Sequence, residues 1–369
     1  KKRFIPTKRI QIMLVTSMVL SCVVIVSIWI RGTDAPRNPS LYYTILLAMS
    51  IALALVQTYL QNATMGFCTC LDIHGYVTGY MLLGQALNGV IGSVLNLASS
   101  MSVSKVSHEA SSQNKGSALV VYVSTALLQL LTWWAFRCML RVPLVKQRLE
   151  GWTRDEHDRH GSDMSWTRIK FVQSSLVPWS ASTFGLFAVT LCVYPGITSR
   201  VRTNTEGTWL KNESIFVALH IVCMNIGDLM GRRLPIIFPI TNVRRVSVAI
   251  ACTAARILFL PFFLMCHLDT YTSSLIPDSL FFLCVWGVGL TSGWLSTSFL
   301  ICGPQSVNIT HSHSERDILL HQEYPHEIPV AEHAVAQDAT IASMLFSFWI
   351  VCGLTAGGAF SLLVNMLLG

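Results

Sequence analysis

Charge is scarce in this sequence. Of its 369 residues, 12% are charged and 52% are hydrophobic, whereas a soluble domain carries about 25% charged residues. So few charged side chains cannot cover the surface of a water-soluble protein of this size. The composition therefore excludes a soluble fold and predicts a membrane protein whose first partner is the lipid bilayer.

Motifs for catalysis and cofactor binding are also missing. There is no Walker A sequence, which excludes an ATP-driven mechanism, and His326-Glu327 does not open an H-E-x-x-H zinc motif. The cysteines are odd in number, 11, and scattered through apolar runs, which indicates no disulfide framework. The histidines in the segment 304–338 fit no metal-ligand spacing. We expect no cofactor, no metal site and no enzymatic activity.

Long hydrophobic runs, by contrast, are frequent. A transmembrane helix needs roughly 20 mostly apolar residues. Seven uncharged runs reach this length, and two more reach it by including charged residues. The nine predicted spans are 10–30, 41–68, 75–104, 116–136, 171–199, 214–236, 246–268, 279–303 and 339–369. The pattern predicts an all-α polytopic membrane protein.

Basic residues concentrate on one side of these spans. They are most frequent in the N-terminal segment, in the loop 137–170 and in the turn 232–245. By the positive-inside rule this predicts a cytoplasmic N-terminus and an external or lumenal C-terminus. The net charge of +7 is thus a topology signal and not a sign of nucleic-acid binding. The plasma membrane and an internal membrane both stay open.

The same basic loop divides the chain. It separates four spans in 1–136 from five in 171–369, and the latter part also contains the His-rich loop 304–338, predicted to be solvated and partly disordered. We expect two helical bundles, joined by the cytoplasmic loop 137–170.

Charged residues lie where lipid is expected. Asp228 and Arg232 are four residues apart at the end of an apolar run, so a helix places them on one face, about 6 Å apart along its axis. Each such charge costs about 2.5–3.5 kcal/mol on insertion scales unless it is paired or faces a cavity. Two interpretations stay open: a polar pathway for a solute, or a helix end whose charges compensate each other. For Arg256 a structural latch is the favoured interpretation.

The sequence offers one enzymatic alternative. Asn225-Ile-Gly-Asp228 differs by one residue from the Gly-x-Gly-Asp motif of intramembrane aspartyl proteases. That chemistry needs two carboxylates in one site, and Asp228 is the only carboxylate deep within a predicted span. The sequence therefore disfavours a protease.

Several segments, in order along the chain, resemble the equilibrative nucleoside transporter family. Their shared feature is the placement of polar, glycine and proline residues within apolar spans, in the same order as in that family. They are Leu60-Gln61, Gly84-Gln85 with Gly89, Asn225-Ile-Gly-Asp228-Leu-Met-Gly231-Arg232, Ala255-Arg256-Ile-Leu-Phe259-Leu-Pro261, Gly293-Trp-Leu-Ser, Cys302-Gly303-Pro304, and Gly353-Leu354 with Ala359-Phe360-Ser361.

The resemblance implies a two-bundle fold similar to the major facilitator fold. It also implies facilitated diffusion of nucleosides by alternating access, with nucleobases as a further candidate substrate. It implies that Gln61 contacts the base and that Asp228 and Arg232 contact the ribose hydroxyls, with Asn225 in the same element. It implies packing or gating roles for five further positions: Gly84, Gly89, Gly231, Arg256 and Pro261.

The chain departs from the family pattern in two ways. The family has eleven spans and the first two have no counterpart here, so the alternative is a truncated, transport-incompetent scaffold or subunit. Gln57 also stands where relatives often have a small residue, which is expected to narrow the cavity.

Overall fold

A computed structural model describes most of the chain. The described residues are 6–30, 39–71, 76–104, 110–158, 166–203, 209–237, 246–266, 276–319 and 328–367. Nearly all of them are helical, which confirms the all-α fold class. The α-helices are α1 (Pro6–Ile30), α2 (Pro39–Leu71), α3 (Tyr76–Ser104), α4 (Ala110–Met139), α5 (Pro143–Asp158), α6 (Trp166–Val193), α7 (Glu213–Gly231), α8 (Leu234–Ile237), α9 (Val246–Ala255), α10 (Phe259–Leu264), α11 (Asp278–Leu319) and α12 (Ile328–Leu367).

Nine helical segments within the described residues are long and apolar enough to cross a membrane. They coincide with the nine predicted spans. The span Val246–Leu264 is built from α9, a 3-10 turn at Arg256–Leu258, and α10. Pro261 follows that turn, and its missing N–H removes a helical hydrogen bond at this point.

Helix also extends into segments predicted as loops. Helix α5 lies within 137–170, while α11 continues to Leu319 and α12 starts at Ile328, both inside 304–338. Polar residues do not by themselves end a helix, and α11 continues past Pro304, although a proline removes one helical hydrogen bond. The side chains of the histidines in 304–338 lie outside the described residues.

The chain forms two compact units, each described by itself. Unit 1 comprises residues 1–67 and 94–159, and unit 2 comprises residues 68–93 and 160–369. In unit 1, α4 is the helix that packs most closely against α1. Near the ends of α2 and α4, the rings of Phe67 and Phe136 meet edge to face at 5.6 Å. The predicted bundles 1–136 and 171–369 stay a prediction.

In unit 2, α7 and α11 pack with their backbones in contact. A Cβ added to Gly227 or Gly231 of α7 would lie 2.3 or 2.1 Å from a carbonyl oxygen of α11. A Cβ added to Gly289 or Gly293 of α11 would lie 2.2 Å from a carbonyl oxygen of α7. Each helix therefore presents a Gly-x-x-x-Gly pair to the other, the pattern that lets membrane helices approach most closely.

Helices α6 and α12 of unit 2 pack in a similar way. A Cβ on Gly353 or Gly357 of α12 would lie 2.6 or 2.4 Å from a carbonyl oxygen of α6. At one end of this pair, Arg168 Nε donates to Asp338 Oδ1 at 2.6 Å, and the Asp338 side chain is 1% exposed. A buried carboxylate needs such a partner, so the ion pair fixes the register of α6 against α12.

Candidate functional site

Helix α7 carries the predicted polar pair, and its limits follow from local chemistry. The side chain of Asn212 accepts a hydrogen bond from the Ser214 backbone N–H at 3.0 Å, and Glu213 stands in the first turn. Both features favour a helix N-terminus. At the other end, Arg232 N–H still donates to the Asp228 carbonyl at 3.0 Å, and Pro235 follows shortly after. Asp228 therefore lies in the last turn of the helix, and Arg232 is the C-cap residue directly after it.

Asp228 and Arg232 form an ion pair on this helix. Arg232 Nε donates to Asp228 Oδ2 at 2.8 Å, and the two side chains are 14% and 17% exposed, respectively. In the described part of the chain, the second carboxylate oxygen and the terminal guanidinium nitrogens form no side-chain hydrogen bond. The pair thus combines partly exposed acceptor and donor atoms at the end of a mostly apolar span, an arrangement that can bind a polar solute.

The backbone behind this pair is held by α11. A Cβ on Gly293 would lie 2.2 Å from the Asp228 carbonyl oxygen and 3.0 Å from the Arg232 nitrogen. Gly231, predicted as a packing position, faces α11 in the same way, since its Cβ would lie 2.1 Å from the Leu290 carbonyl oxygen. The position of the carboxylate is therefore set by direct backbone contact between two helices.

Asn225 lies one turn before Asp228 and touches α3. Its Nδ2 donates to the Ile221 carbonyl at 2.9 Å, and its Oδ1 lies so close to Gly89 that a Cβ there would be 2.6 Å away. Gly89 leaves the space that the amide occupies. A Cβ on Gly84, in contrast, would meet nothing within 4 Å among the described residues, so their packing gives no reason for that glycine.

Arg256 is buried and joins three helical segments. It is 2% exposed; its Nη1 donates to the Val288 carbonyl at 3.1 Å and to Thr291 Oγ1, and its Nη2 donates to Thr190 Oγ1 at 2.8 Å. Asp228 lies within electrostatic reach, although no hydrogen bond joins the two side chains in the described residues. These contacts are those of a latch between α6 and α11. Pro261, predicted as a gating position, is exposed in α10.

Gln61 lies in unit 1, half-buried on α2. The other predicted substrate contacts, Asn225, Asp228 and Arg232, lie in unit 2. Within unit 2 the structure brings these three side chains together on α7, with Gly89 and Arg256 near them.

Sequence reasoning missed some polar contacts. The Arg168–Asp338 ion pair joins residues 170 positions apart, and Gln129 donates to Ser17 across 112 positions. The available signal was weak: a charge near the start of each of two spans, and single polar residues within apolar runs.

The fold and the polar pair together define a class of protein. Ionisable groups inside membrane helices are rare and mark pathways for solutes, ions or protons. An all-helical membrane protein with nine candidate spans in its described part, and with a partly exposed ion pair at the end of one of them, has the features of a polytopic transporter.

Comparison with known proteins gives the family. The model of the nucleoside transporter family matches residues 47–316, a range that contains Gln61 and the Asp228–Arg232 pair. The chain belongs to this family, whose members are transporters and not enzymes.

Curated relatives agree with this assignment. The chain is 24% identical over 315 residues to equilibrative nucleoside transporter 1 of Rattus norvegicus, covering 79% of this chain and 62% of that protein. It is 32% identical over 129 residues to equilibrative nucleotide transporter 1 of Arabidopsis thaliana, covering 34% and 26%. It is 27% identical over 194 residues to equilibrative nucleoside transporter 2 of Mus musculus, covering 50% and 35%. The chain thus spans less than two thirds of the length of each.

Proposed function

We propose that this protein carries nucleosides across a membrane by facilitated diffusion. The single observation that supports this most is the Asp228–Arg232 ion pair, which lies at the C-terminal end of a membrane-spanning helix and keeps hydrogen-bonding atoms accessible. The family assignment supplies the substrate class. Nucleobases are a second candidate within the same class of solute.

The chemistry of the pair suits a ribose. A vicinal diol donates hydrogen bonds to a carboxylate and accepts them from a guanidinium, and bonds to charged groups are the stronger kind. A bound diol would contact the Asp228 oxygen and the Arg232 nitrogens that the ion pair leaves accessible. Both charged groups keep partners throughout, which matters because an unpaired charge is costly in a low-dielectric site.

Other residues take supporting roles in this proposal. Gln61 contacts the base, since an amide can both donate to and accept from a base edge. Asn225 orients the sugar from the turn before Asp228. Transport proceeds by alternating access between two helical bundles, residues 1–136 and 171–369.

The N-terminus and the loop 137–170 lie in the cytoplasm, and the C-terminus is external or lumenal. The protein resides in the plasma membrane or in an internal membrane.

Uptake into proteoliposomes tests the function. The purified protein is reconstituted, and entry of labelled uridine or adenosine is measured against empty liposomes. Saturable uptake that unlabelled nucleosides inhibit, and that sugars of similar size do not, is expected. Absence of saturable nucleoside uptake, or equal inhibition by sugars, contradicts the proposal.

A further inference from the structure

A single hydroxyl in the middle of α1 joins three helices of unit 1. Ser17 is 1% exposed. Its Oγ accepts hydrogen bonds from Gln57 Nε2 of α2 at 3.1 Å and from Gln129 Nε2 of α4 at 3.0 Å. We call these three residues the amide hub.

The hub lies on the packing face of α1. The buried residues of this helix recur at intervals of three and four, which places them on one side. They are Ile10, Leu14, Ser17, Ser21 and Val24. A serine in the centre of this stripe buries a polar atom, and a buried polar atom is tolerated when it is hydrogen-bonded. The two amides provide those bonds.

The amides depend on Ser17 as much as Ser17 depends on them. In the described part of the chain, Gln129 Oε1 is buried without a partner, so the bond to Ser17 is the one hydrogen bond of that amide. Gln57 likewise donates to Ser17. Removing the hydroxyl leaves the half-buried Gln129 amide without a partner, and an unmatched donor in a buried site costs more than the bond itself contributes. Gln57, which is exposed, loses its one described link to α1.

The hub bears on the proposed substrate contact. Gln57 and Gln61 are four residues apart on α2 and so lie on the same face, one turn from each other. The Gln57 amide is bonded within its own unit, and its expected narrowing of the cavity stays a prediction. Holding Gln57 fixes the rotation of the α2 turn from which Gln61 projects.

We infer that Ser17 is a positioning residue for nucleoside recognition, acting through Gln57 on the orientation of Gln61. The inference rests on the proposed function. It adds α1 and α4 to the determinants of substrate affinity, although their hub residues need not touch the substrate.

A set of matched variants tests this in proteoliposomes, with uridine KM and kcat as readouts. Ser17→Ala and Gln57→Leu are each expected to raise KM about fivefold, the effect of losing one hydrogen bond, with little change in kcat. The double variant is expected to be no worse than the poorer single variant, because both remove the same interaction. Ser17→Thr, which keeps a hydroxyl, restores the wild-type KM. Ser21→Ala, on the same buried face, leaves it unchanged.

A second background separates positioning from a general structural role. In Gln61→Ala, where the contact is already lost, Ser17→Ala is expected to produce no further rise in KM. An unchanged KM in Ser17→Ala, or a full additional rise in the Gln61→Ala background, overturns the inference while wild-type uptake still supports the function. Absence of uptake by the wild type overturns the proposed function and this inference with it.

Discussion

Units 1 and 2 hold their helices together by different means. In unit 1, α2 and α4 bury no residue of their most apolar 18-residue stretch, whereas α7 and α11 of unit 2 bury 44% and 50% of theirs. Unit 2 joins its helices through glycine contacts between backbones. Unit 1 joins them through long side chains that meet at Ser17. The proposed sugar-binding charges therefore stand on the tightest helix pair described.

This difference has a functional consequence. Recognition by charged groups depends on fixed geometry, and Asp228 has its backbone held by Gly293 of α11. Gln61 stands on a helix whose described contacts are sparser. In the proposed function, the sugar contacts of unit 2 are therefore held by backbone packing, and the base contact of unit 1 is held by side-chain hydrogen bonds at the amide hub.

The largest effect is expected from removing the carboxylate in unit 2. Asp228→Ala should lower nucleoside uptake at least about tenfold, because hydrogen bonds to a charged group contribute about 1.5–3 kcal/mol, while the protein still inserts into the membrane. The control is Glu213→Ala at the exposed start of the same helix, whose partner Arg202 forms a surface pair of little energetic weight. Normal uptake by Asp228→Ala would show that the site assignment is wrong.

The next effect concerns the contact between α7 and α11. Gly293→Ala places a methyl group against the Asp228 carbonyl, so the helices must separate, and overpacking of this kind costs about 1–3 kcal/mol. We expect a lower thermal unfolding midpoint together with reduced uptake. Gly287→Ala on the same helix meets nothing within 4 Å and should behave as wild type. Equal thermal unfolding midpoints for Gly293→Ala and Gly287→Ala would contradict the conclusion that glycine contacts between backbones hold the helices of unit 2 together.

A smaller effect is expected at Arg256. Arg256→Met removes the latch. Thr190 and Thr291 keep their hydrogen bonds to carbonyls of their own helices. Replacing a buried charge by an apolar side chain is also often nearly neutral for stability. The thermal midpoint should therefore fall less than in Gly293→Ala. A larger fall than in Gly293→Ala would mean that the guanidinium, and not the glycine contact, holds unit 2 together.

The smallest effect is expected at Gly89. Gly89→Ala presses on the Asn225 amide, the far end of a side chain that can shift by a few tenths of an ångström. Uptake should therefore fall by about twofold, less than the loss of one full hydrogen bond would cause. Gly84→Ala, with open space around it, is the matched control and should not differ from wild type. A larger fall in uptake for Gly84→Ala than for Gly89→Ala would contradict this ranking. It would mean that Gly84 has a close neighbour outside the described contacts.

Local patterns in the sequence predicted much of this. The nine spans follow from apolar length alone, and the Asp228–Arg232 pair follows from a spacing of four on one helix. The partners of Arg256 lie 32 to 66 positions away along the chain, and those of Ser17 lie 40 and 112 away. Such contacts arise from the packing of helices, which no spacing along the chain encodes. The continuation of α11 past Pro304 was missed because polarity was interpreted as a loop.

Binding of labelled uridine to the purified protein, wild type against Asp228→Asn, tests the central claim most directly. The substitution keeps the size of the side chain and removes its charge, so a thermal midpoint close to that of the wild type checks that the fold is retained. The account predicts saturable binding by the wild type and a Kd at least about tenfold weaker in Asp228→Asn, the loss expected for hydrogen bonds to a charged group. An unchanged Kd in a folded Asp228→Asn variant would contradict it.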